Sequence, residues 1–145
     1  MDTSALCKRY IAEVGTAWVQ SQLEPSAGNL ILISQLAILE MMTLLARRQR
    51  ENAITTNAFV IHKNNFLLHA DSEYLVIPVN DKAWLRARDL ALKHPVRSLD
   101  AIQLASALEA AQALGAKPVF VSADERLLAV AAAEGFPVDN PNIHP

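Results

Sequence analysis

Four acidic residues stand at the joints between predicted elements, each beside an apolar segment. They are Asp2, Glu40, Asp100 and Asp124. Two carboxylates about 4 Å apart repel each other by roughly 4 kcal/mol at an effective dielectric constant near 20. If a fold brings such groups together, they must take up protons or bind a divalent cation. A cluster of these four acids would therefore suit metal-dependent hydrolysis of a phosphodiester.

Three of these acids also have a purely structural explanation at helix N-termini. Asp2 could cap a helix that begins near residue 4, and Asp100 could be a first-turn carboxylate favoured by the helix dipole. Asp124 could play the same part beside a capping box formed by Ser122 and Glu125. Composition and spacing leave both explanations open for each residue.

Glu40 is harder to explain as a structural residue. Helical spacing places Leu36 and Leu44 on either side of it, so that it interrupts an apolar surface. Arg47, farther along the same predicted helix, is its alternative partner. Glu40 therefore remains a candidate for either a metal site or a surface ion pair.

The elements that must position these acids alternate along the chain. Apolar and β-branched runs predict strands, and longer segments with cap residues predict helices between them. Strands separated by helices favour an α/β fold with a parallel sheet, whose carboxyl ends form a ligand crevice. The predicted strands are Asn29–Ile33, Tyr74–Val79, Pro118–Val121 and Pro137–Val138, and the predicted helices are Thr3–Gly15, 34–50, 54–70, Asp81–His94, Ser98–Leu114 and Ser122–Glu134.

Composition sets limits on the class of protein. A chain of 145 residues with 52% hydrophobic residues predicts one domain over residues 1–145 with a buried core. A net charge of −2 argues against tight non-specific binding to nucleic acid, so RNA contacts should be local. The lone Cys7 and the absence of a secretory pattern at the N-terminus lead us to expect the cytoplasm. The apolar segment 30–46 contains Glu40, which favours a strand and helix over a membrane span.

Short stretches that span the chain resemble the PIN-domain family. They are the opening DTSAL with Lys8 and Tyr10, residues 33–48 around Glu40, RSLDAIQLA at 97–105, FVSADERLL at 120–128 and AEGFPV at 133–138. The likeness is closest to the VapC-type toxins of bacterial and archaeal toxin–antitoxin pairs. It implies a three-layer α/β/α sandwich with a central parallel sheet.

The resemblance also implies an activity and a set of residues. Members are typically Mg²⁺- or Mn²⁺-dependent ribonucleases, and their catalytic, metal-binding acids map onto Asp2, Glu40, Asp100 and Asp124. Ser122 matches a hydroxyl position that usually supports the acids, and Thr3 is a further candidate donor to them. Lys8 and Arg97 are candidate contacts to RNA phosphates. Whether Asp124 or Glu40 orients the attacking water stays open. The implied partners are RNA, an antitoxin protein and a second copy of the chain.

This chain departs from the family pattern at its start. Members normally have a short hydrophobic strand before the first aspartate, whereas only Met1 precedes Asp2 here. Either the start lies downstream of the true one, or the sheet lacks that strand and Asp2 lies on a mobile terminus. The second case would leave a hydrophobic slot in the core. Gln103 stands where relatives often have histidine, and we expect little consequence from this change.

Three functions remain compatible with the sequence. The first is a toxin endoribonuclease that is inhibited when an antitoxin peptide covers the crevice. Its homodimer would form through the apolar helix that carries Met41 and Leu45. The second is a weakened or inactive PIN-like interaction module, favoured by the missing strand. The third is another acid-site hydrolase such as a phosphatase, although Ser4 occupies the position where its second acid is usual.

Overall fold

A computed structural model describes residues 1–144. The helices within this range are α1 (Thr3–Leu6), α2 (Thr16–Leu23), α3 (Gln35–Arg50), α4 (Thr56–Ser72), α5 (Asp81–Lys93), α6 (Ser98–Leu114) and α7 (Glu125–Ala133). The strands are β1 (Ile31–Ser34), β2 (Tyr74–Ile77), β3 (Phe120–Val121) and β4 (Val138–Asp139). Short 3₁₀ turns cover Cys7–Arg9, Pro25–Ala27 and Pro141–Ile143.

The strands form two parallel pairs, one of β1 with β2 and one of β3 with β4. The first two residues of the chain connect the pairs. The amino group of Met1 donates a hydrogen bond to the carbonyl of Leu32 in β1 at 2.8 Å. The backbone N–H of Asp2 donates to the carbonyl of Val121 in β3, also at 2.8 Å. The α/β prediction is confirmed, and the architecture is consistent with an α/β/α sandwich.

Two clusters of buried side chains lie on opposite sides of this junction. One packs α1 to α4 around β1 and β2, and the other packs α5 to α7 around β3. The first cluster includes Leu6, Val19, Ile33, Met41, Leu45 and Phe66. The second includes Leu90, Leu104, Phe120, Leu127 and Phe136. The N-terminal residues therefore lie where the two halves of the core meet.

Most predicted elements are found, with shorter strands than expected. The predicted helix after Ser34 is α3, and the Ser34 hydroxyl caps it by accepting a hydrogen bond from the N–H of Leu36 at 3.2 Å. The prediction of one helix over Thr3–Gly15 is wrong, because α1 ends at Leu6 and a 3₁₀ turn follows. Helix α2 was not predicted.

Residues 30–46 form β1 and most of α3, and within residues 1–144 no helix is long and apolar enough to span a bilayer.

Candidate metal centre

Asp2 is buried and held by several hydrogen bonds. It caps α1, and its Oδ2 accepts hydrogen bonds from the Ser4 N–H at 3.1 Å, the Ser4 hydroxyl at 2.6 Å and the Ser122 hydroxyl at 3.1 Å. Its backbone N–H is bonded to Val121, as described above. The structure therefore does not support a poorly positioned Asp2 on a mobile terminus. The capping and clustering explanations both hold for this residue.

Glu40 points from α3 toward the N-terminal segment. Its Oε2 accepts hydrogen bonds from the Thr3 hydroxyl at 2.5 Å and from Nε2 of Gln103 at 2.6 Å. Nε2 of Gln103 also donates to the Thr3 hydroxyl at 3.0 Å. Gln103 is buried, so its amide ties α6 to both residues. Sequence reasoning gave Gln103 little consequence, and the structure shows instead that it positions Glu40.

Asp124 caps α7. Its Oδ1 accepts hydrogen bonds from the N–H groups of Arg126 at 2.8 Å and Leu127 at 3.2 Å. The predicted capping box of Ser122 and Glu125 is wrong, because the cap is Asp124 itself. The Ser122 hydroxyl instead accepts from the Asp124 N–H at 3.1 Å and donates to Asp2, so that it joins two of the acids.

Asp100 lies in the first turn of α6 and is half-buried. Burial raises the pKa of its carboxyl group, and the negative charges of Asp2 and Asp124 raise the pKa further. Arg97 opposes this effect, and Glu40 adds to it. Asp100 therefore lies within electrostatic range of the other three candidate acids, which come from separate segments of the chain.

Each acid keeps at least one oxygen that is not used in positioning. Within residues 1–144, Oδ1 of Asp2, Oε1 of Glu40 and Oδ2 of Asp124 accept no hydrogen bond. Both carboxylate oxygens of Asp100 are also free in this part of the chain. Carboxylate oxygens are the ligands preferred by Mg²⁺ and Mn²⁺.

The four acids do not form a close cluster. Among residues 1–144, no group of three or more His, Cys, Asp or Glu side chains is arranged closely enough to hold a metal. The donor set nevertheless fits a hard divalent cation, because its free atoms are carboxylate oxygens.

A cleft of about 390 Å³ opens beside Asp100 and Asp124. Arg97 and Arg126 line it, and both side chains are exposed. Arg97 was a predicted phosphate contact, and its position at the cleft fits that prediction. Arg126 was missed, although its place two residues after Asp124, in the first turn of a helix, would have pointed to it.

Lys8 occupies a different environment from the one expected of a phosphate contact. Its side chain is 4% exposed, and its Nζ lies 3.4 Å from Oε2 of Glu13. Arg48 pairs with the other carboxylate oxygen of Glu13 at 2.7 Å. Burial and this ion pair keep the Lys8 ammonium away from open solvent, so the structure does not present it to RNA.

Comparison with protein families tests the resemblance directly. The PIN-domain family model matches residues 1–133, which is most of the chain. The chain belongs to the PIN-domain family. The family prediction is confirmed, and with it a nuclease-type fold whose members typically are metal-dependent ribonucleases. Comparison with curated proteins gives no significant match.

Proposed function

We propose that this PIN domain is a metal-dependent endoribonuclease that hydrolyses RNA phosphodiesters with Mg²⁺ or Mn²⁺. The observation that carries the proposal is the shared environment of four acids with unused oxygens. One oxygen of Asp2, Glu40 and Asp124 is fixed by hydrogen bonds, so each side chain is oriented while the other oxygen stays free for a cation. Such fixed orientation of ligands is what metal sites require.

We assign a separate role in the reaction to each group of residues. Asp2, Glu40, Asp100 and Asp124 would hold the cation, which when bound supplies positive charge to the scissile phosphate and lowers the pKa of an attacking water. The exposed guanidinium of Arg97 binds a neighbouring phosphate at the cleft. A free carboxylate oxygen, on Asp124 or Glu40, accepts the proton of the water. Thr3, Ser122 and Gln103 keep these carboxylates in place.

The biological role that we propose is that of a cytoplasmic toxin in a type II toxin–antitoxin pair. The resemblance to VapC-type proteins supports this role, and a partner antitoxin would cover the cleft beside Asp100. We also propose a homodimer. The dimer surface would not include Met41 and Leu45, which are fully buried within the chain, but Leu39 on the same helix is exposed.

The alternative function is a PIN-like interaction module without catalysis. It is favoured by the spacing of the acids, because no group of three or more metal-ligating side chains within residues 1–144 lies close enough to hold a metal. The hydrogen bonds around Asp2 favour the enzyme, since they hold that carboxylate in one orientation. We therefore rank the nuclease first.

Cleavage of a mixed structured RNA pool tests the nuclease directly. The protein, rigorously freed of other nucleases, is incubated with Mn²⁺, Mg²⁺ or EDTA. The matched variants are Asp100→Asn and Asp89→Asn, the latter an exposed surface acid on α5 with a side chain 68% accessible. We expect metal-dependent cleavage that Asp100→Asn abolishes and Asp89→Asn leaves intact. Equal silence of all folded proteins would favour the interaction module.

A further inference from the structure

The cleft beside Asp100 and Asp124 has an apolar wall that the proposed metal chemistry does not use. Ala91, Pro95 and Val96 line it, and each of them is at least partly exposed. The cavity volume of about 390 Å³ lies within the range of roughly 300–1,000 Å³ that is typical of small-molecule sites. A metal ion or a phosphate needs no apolar surface. The wall therefore suits a further part of the ligand that is flat or apolar.

The corner between α5 and α6, which forms this wall, is tied to the end of α7. Nζ of Lys93 donates a hydrogen bond to Oε1 of Glu134 at 2.6 Å, and Nε2 of His94 lies 2.7 Å from the same oxygen. Hydrogen bonds from Lys93 and His94 lower the pKa of Glu134, so its carboxylate is ionised at neutral pH and can only accept. Nε2 of His94 is therefore the donor. These bonds hold the cleft open without a ligand.

His94 also lines the cleft, and its second ring nitrogen is free. The side chain is 14% exposed, and within residues 1–144 Nδ1 makes no hydrogen bond. When Nε2 of a neutral imidazole carries the proton, Nδ1 is an acceptor. Proteins bind unpaired nucleobases by covering their flat faces and by hydrogen bonding to their edges. An apolar wall with one free ring nitrogen beside it provides both kinds of contact.

Two exposed arginines at the cleft have no acidic partner. Arg97 is the residue before the first turn of α6, and Arg126 lies in the first turn of α7. Within residues 1–144, neither guanidinium forms an ion pair or a hydrogen bond. A planar guanidinium matches the geometry of a phosphate group. The cleft thus has cationic groups for an RNA backbone on two of its elements.

We propose that this cleft is a nucleotide subsite, which takes the unpaired base next to the scissile phosphate and holds neighbouring phosphates with Arg97 and Arg126. The apolar wall covers the face of the base, and His94 forms a hydrogen bond with its edge. A base that is paired in a duplex cannot enter, so the substrate must be single-stranded at this nucleotide. The inference rests on the proposed function, since it takes RNA as the ligand. It adds that His94 determines base preference and that Arg126 contributes to affinity.

Binding of short RNA in the presence of EDTA tests the proposal. The probes are fluorescein-labelled octamers of adenylate, cytidylate and uridylate, and an abasic octamer with the same ribose and phosphate backbone. Low ionic strength preserves the phosphate contacts. The metal-free acids repel all four backbones alike, so the comparison isolates the base. By fluorescence polarisation, at least one base-containing octamer should bind at least about tenfold more tightly than the abasic one. Equal binding of all four would overturn the subsite.

Four variants locate the binding. Ala91→Trp fills the cleft and should remove the advantage of the bases, whereas Ala113→Trp, at an exposed position of α6 outside the cleft, should not. Arg126→Gln should weaken binding of every probe about tenfold, including the abasic one. Arg50→Gln changes another exposed arginine that has no ion pair within residues 1–144, and it should leave binding unchanged. An equal loss in the two arginine variants would overturn the phosphate contact.

Base preference tests the role of His94. His94→Phe keeps an aromatic ring but has no ring nitrogen, so it should abolish the difference among the three base-containing octamers and leave abasic binding unchanged. Lys93→Met removes the other donor to Glu134 and should preserve the order of preference. If His94→Phe retains the original preference, His94 does not contact the base. If Lys93→Met loses that preference as well, His94 acts only by fixing the corner of the cleft.

The subsite and the nuclease can fail separately. The proposed cleavage cannot proceed in EDTA, so binding is measured without it. Cleavage with Mn²⁺ together with equal binding of base-containing and abasic octamers would overturn the subsite and leave the nuclease standing. Base-dependent binding that Ala91→Trp removes, without cleavage in Mn²⁺ or Mg²⁺, would support the subsite and overturn the nuclease.

Discussion

Gln103 and Thr3 hold Glu40 in position from two separate segments of the chain. The Gln103 amide lies 2.6 Å from Oε2 of Glu40, and the Thr3 hydroxyl lies 2.5 Å from the same atom. An unpaired carboxylate oxygen in this partly buried place would be costly, so the three residues act as one hydrogen-bonded unit. The orientation of the Glu40 carboxylate thus depends on two neutral side chains.

Replacing Gln103 with leucine should weaken both folding and metal binding. The change leaves Oε2 of Glu40 with one donor fewer in a partly buried environment, which we expect to cost about 1–3 kcal/mol in the free energy of unfolding. Mn²⁺ affinity, measured by calorimetry, should fall as well. Gln103→His keeps an N–H donor and should recover most of that affinity. Equal metal affinity in all three proteins would contradict a positioning role.

Removing the charge of Asp100 should have opposite effects with and without metal. The burial and the neighbouring negative charges that raise its pKa also oppose folding of the metal-free protein, so Asp100→Asn should stabilise that form slightly, by less than about 1 kcal/mol after solvent screening. The same variant should lose the stabilisation that Mn²⁺ gives the original protein. Thermal unfolding with EDTA or Mn²⁺ measures both effects, and Asp89→Asn is the control. A destabilised metal-free Asp100→Asn protein would show that the carboxylate has a structural role.

At the scale of elements, α2 begins in an unusual way. The residue that precedes its first turn is Gly15, which has a φ of +84° and no side chain to cap the helix. A Cβ atom at this position would lie 2.2 Å from the backbone oxygen of Pro141. Both the left-handed backbone and the close approach to the C-terminal 3₁₀ turn therefore require glycine here.

Gly15→Ala should destabilise the protein more than Gly28→Ala. Both glycines have positive φ, and alanine in that conformation costs about 1–2 kcal/mol. Gly28 has open space where a Cβ would be, so only the backbone cost applies to it. At Gly15 the turn at Pro141 must also move. Urea denaturation should show the larger loss for Gly15→Ala, and equal losses would mean that the turn adjusts freely.

The sequence predicts elements well where local residues mark their ends, and it misses them where such residues are lacking. Helix α6 was predicted as an alanine-rich helix with its observed bounds, Ser98–Leu114, and Gly115, with a φ of +69°, ends it. Helix α2 was missed because its start has no polar cap residue. The four candidate acids were chosen from the sequence by residue type and by their positions along the predicted elements. The contact of Gln103 with Thr3 joins residues 100 positions apart, and local patterns carry no information about such pairs.

At the scale of the whole molecule, the core is divided and the candidate centre lies across the division. Glu40 belongs to α3, which packs in the cluster around β1 and β2. Asp100 and Asp124 belong to the elements around β3, and Asp2 lies between the two halves. A cation held by these acids would therefore connect the two clusters, in addition to the contacts that the helices make.

Mg²⁺ binding should make the two halves of the protein open less readily. A ligand at tenfold excess over its dissociation constant stabilises the state that binds it by about 1.4 kcal/mol. Because the acids come from both halves, amide hydrogen exchange measured by NMR should slow in β1 and in β3 alike. Asp124→Asn removes a ligand from the β3 half and should reduce the effect in both strands, whereas Asp89→Asn should not. Slower exchange confined to one half would show that the cation binds only there and does not bridge the divided core.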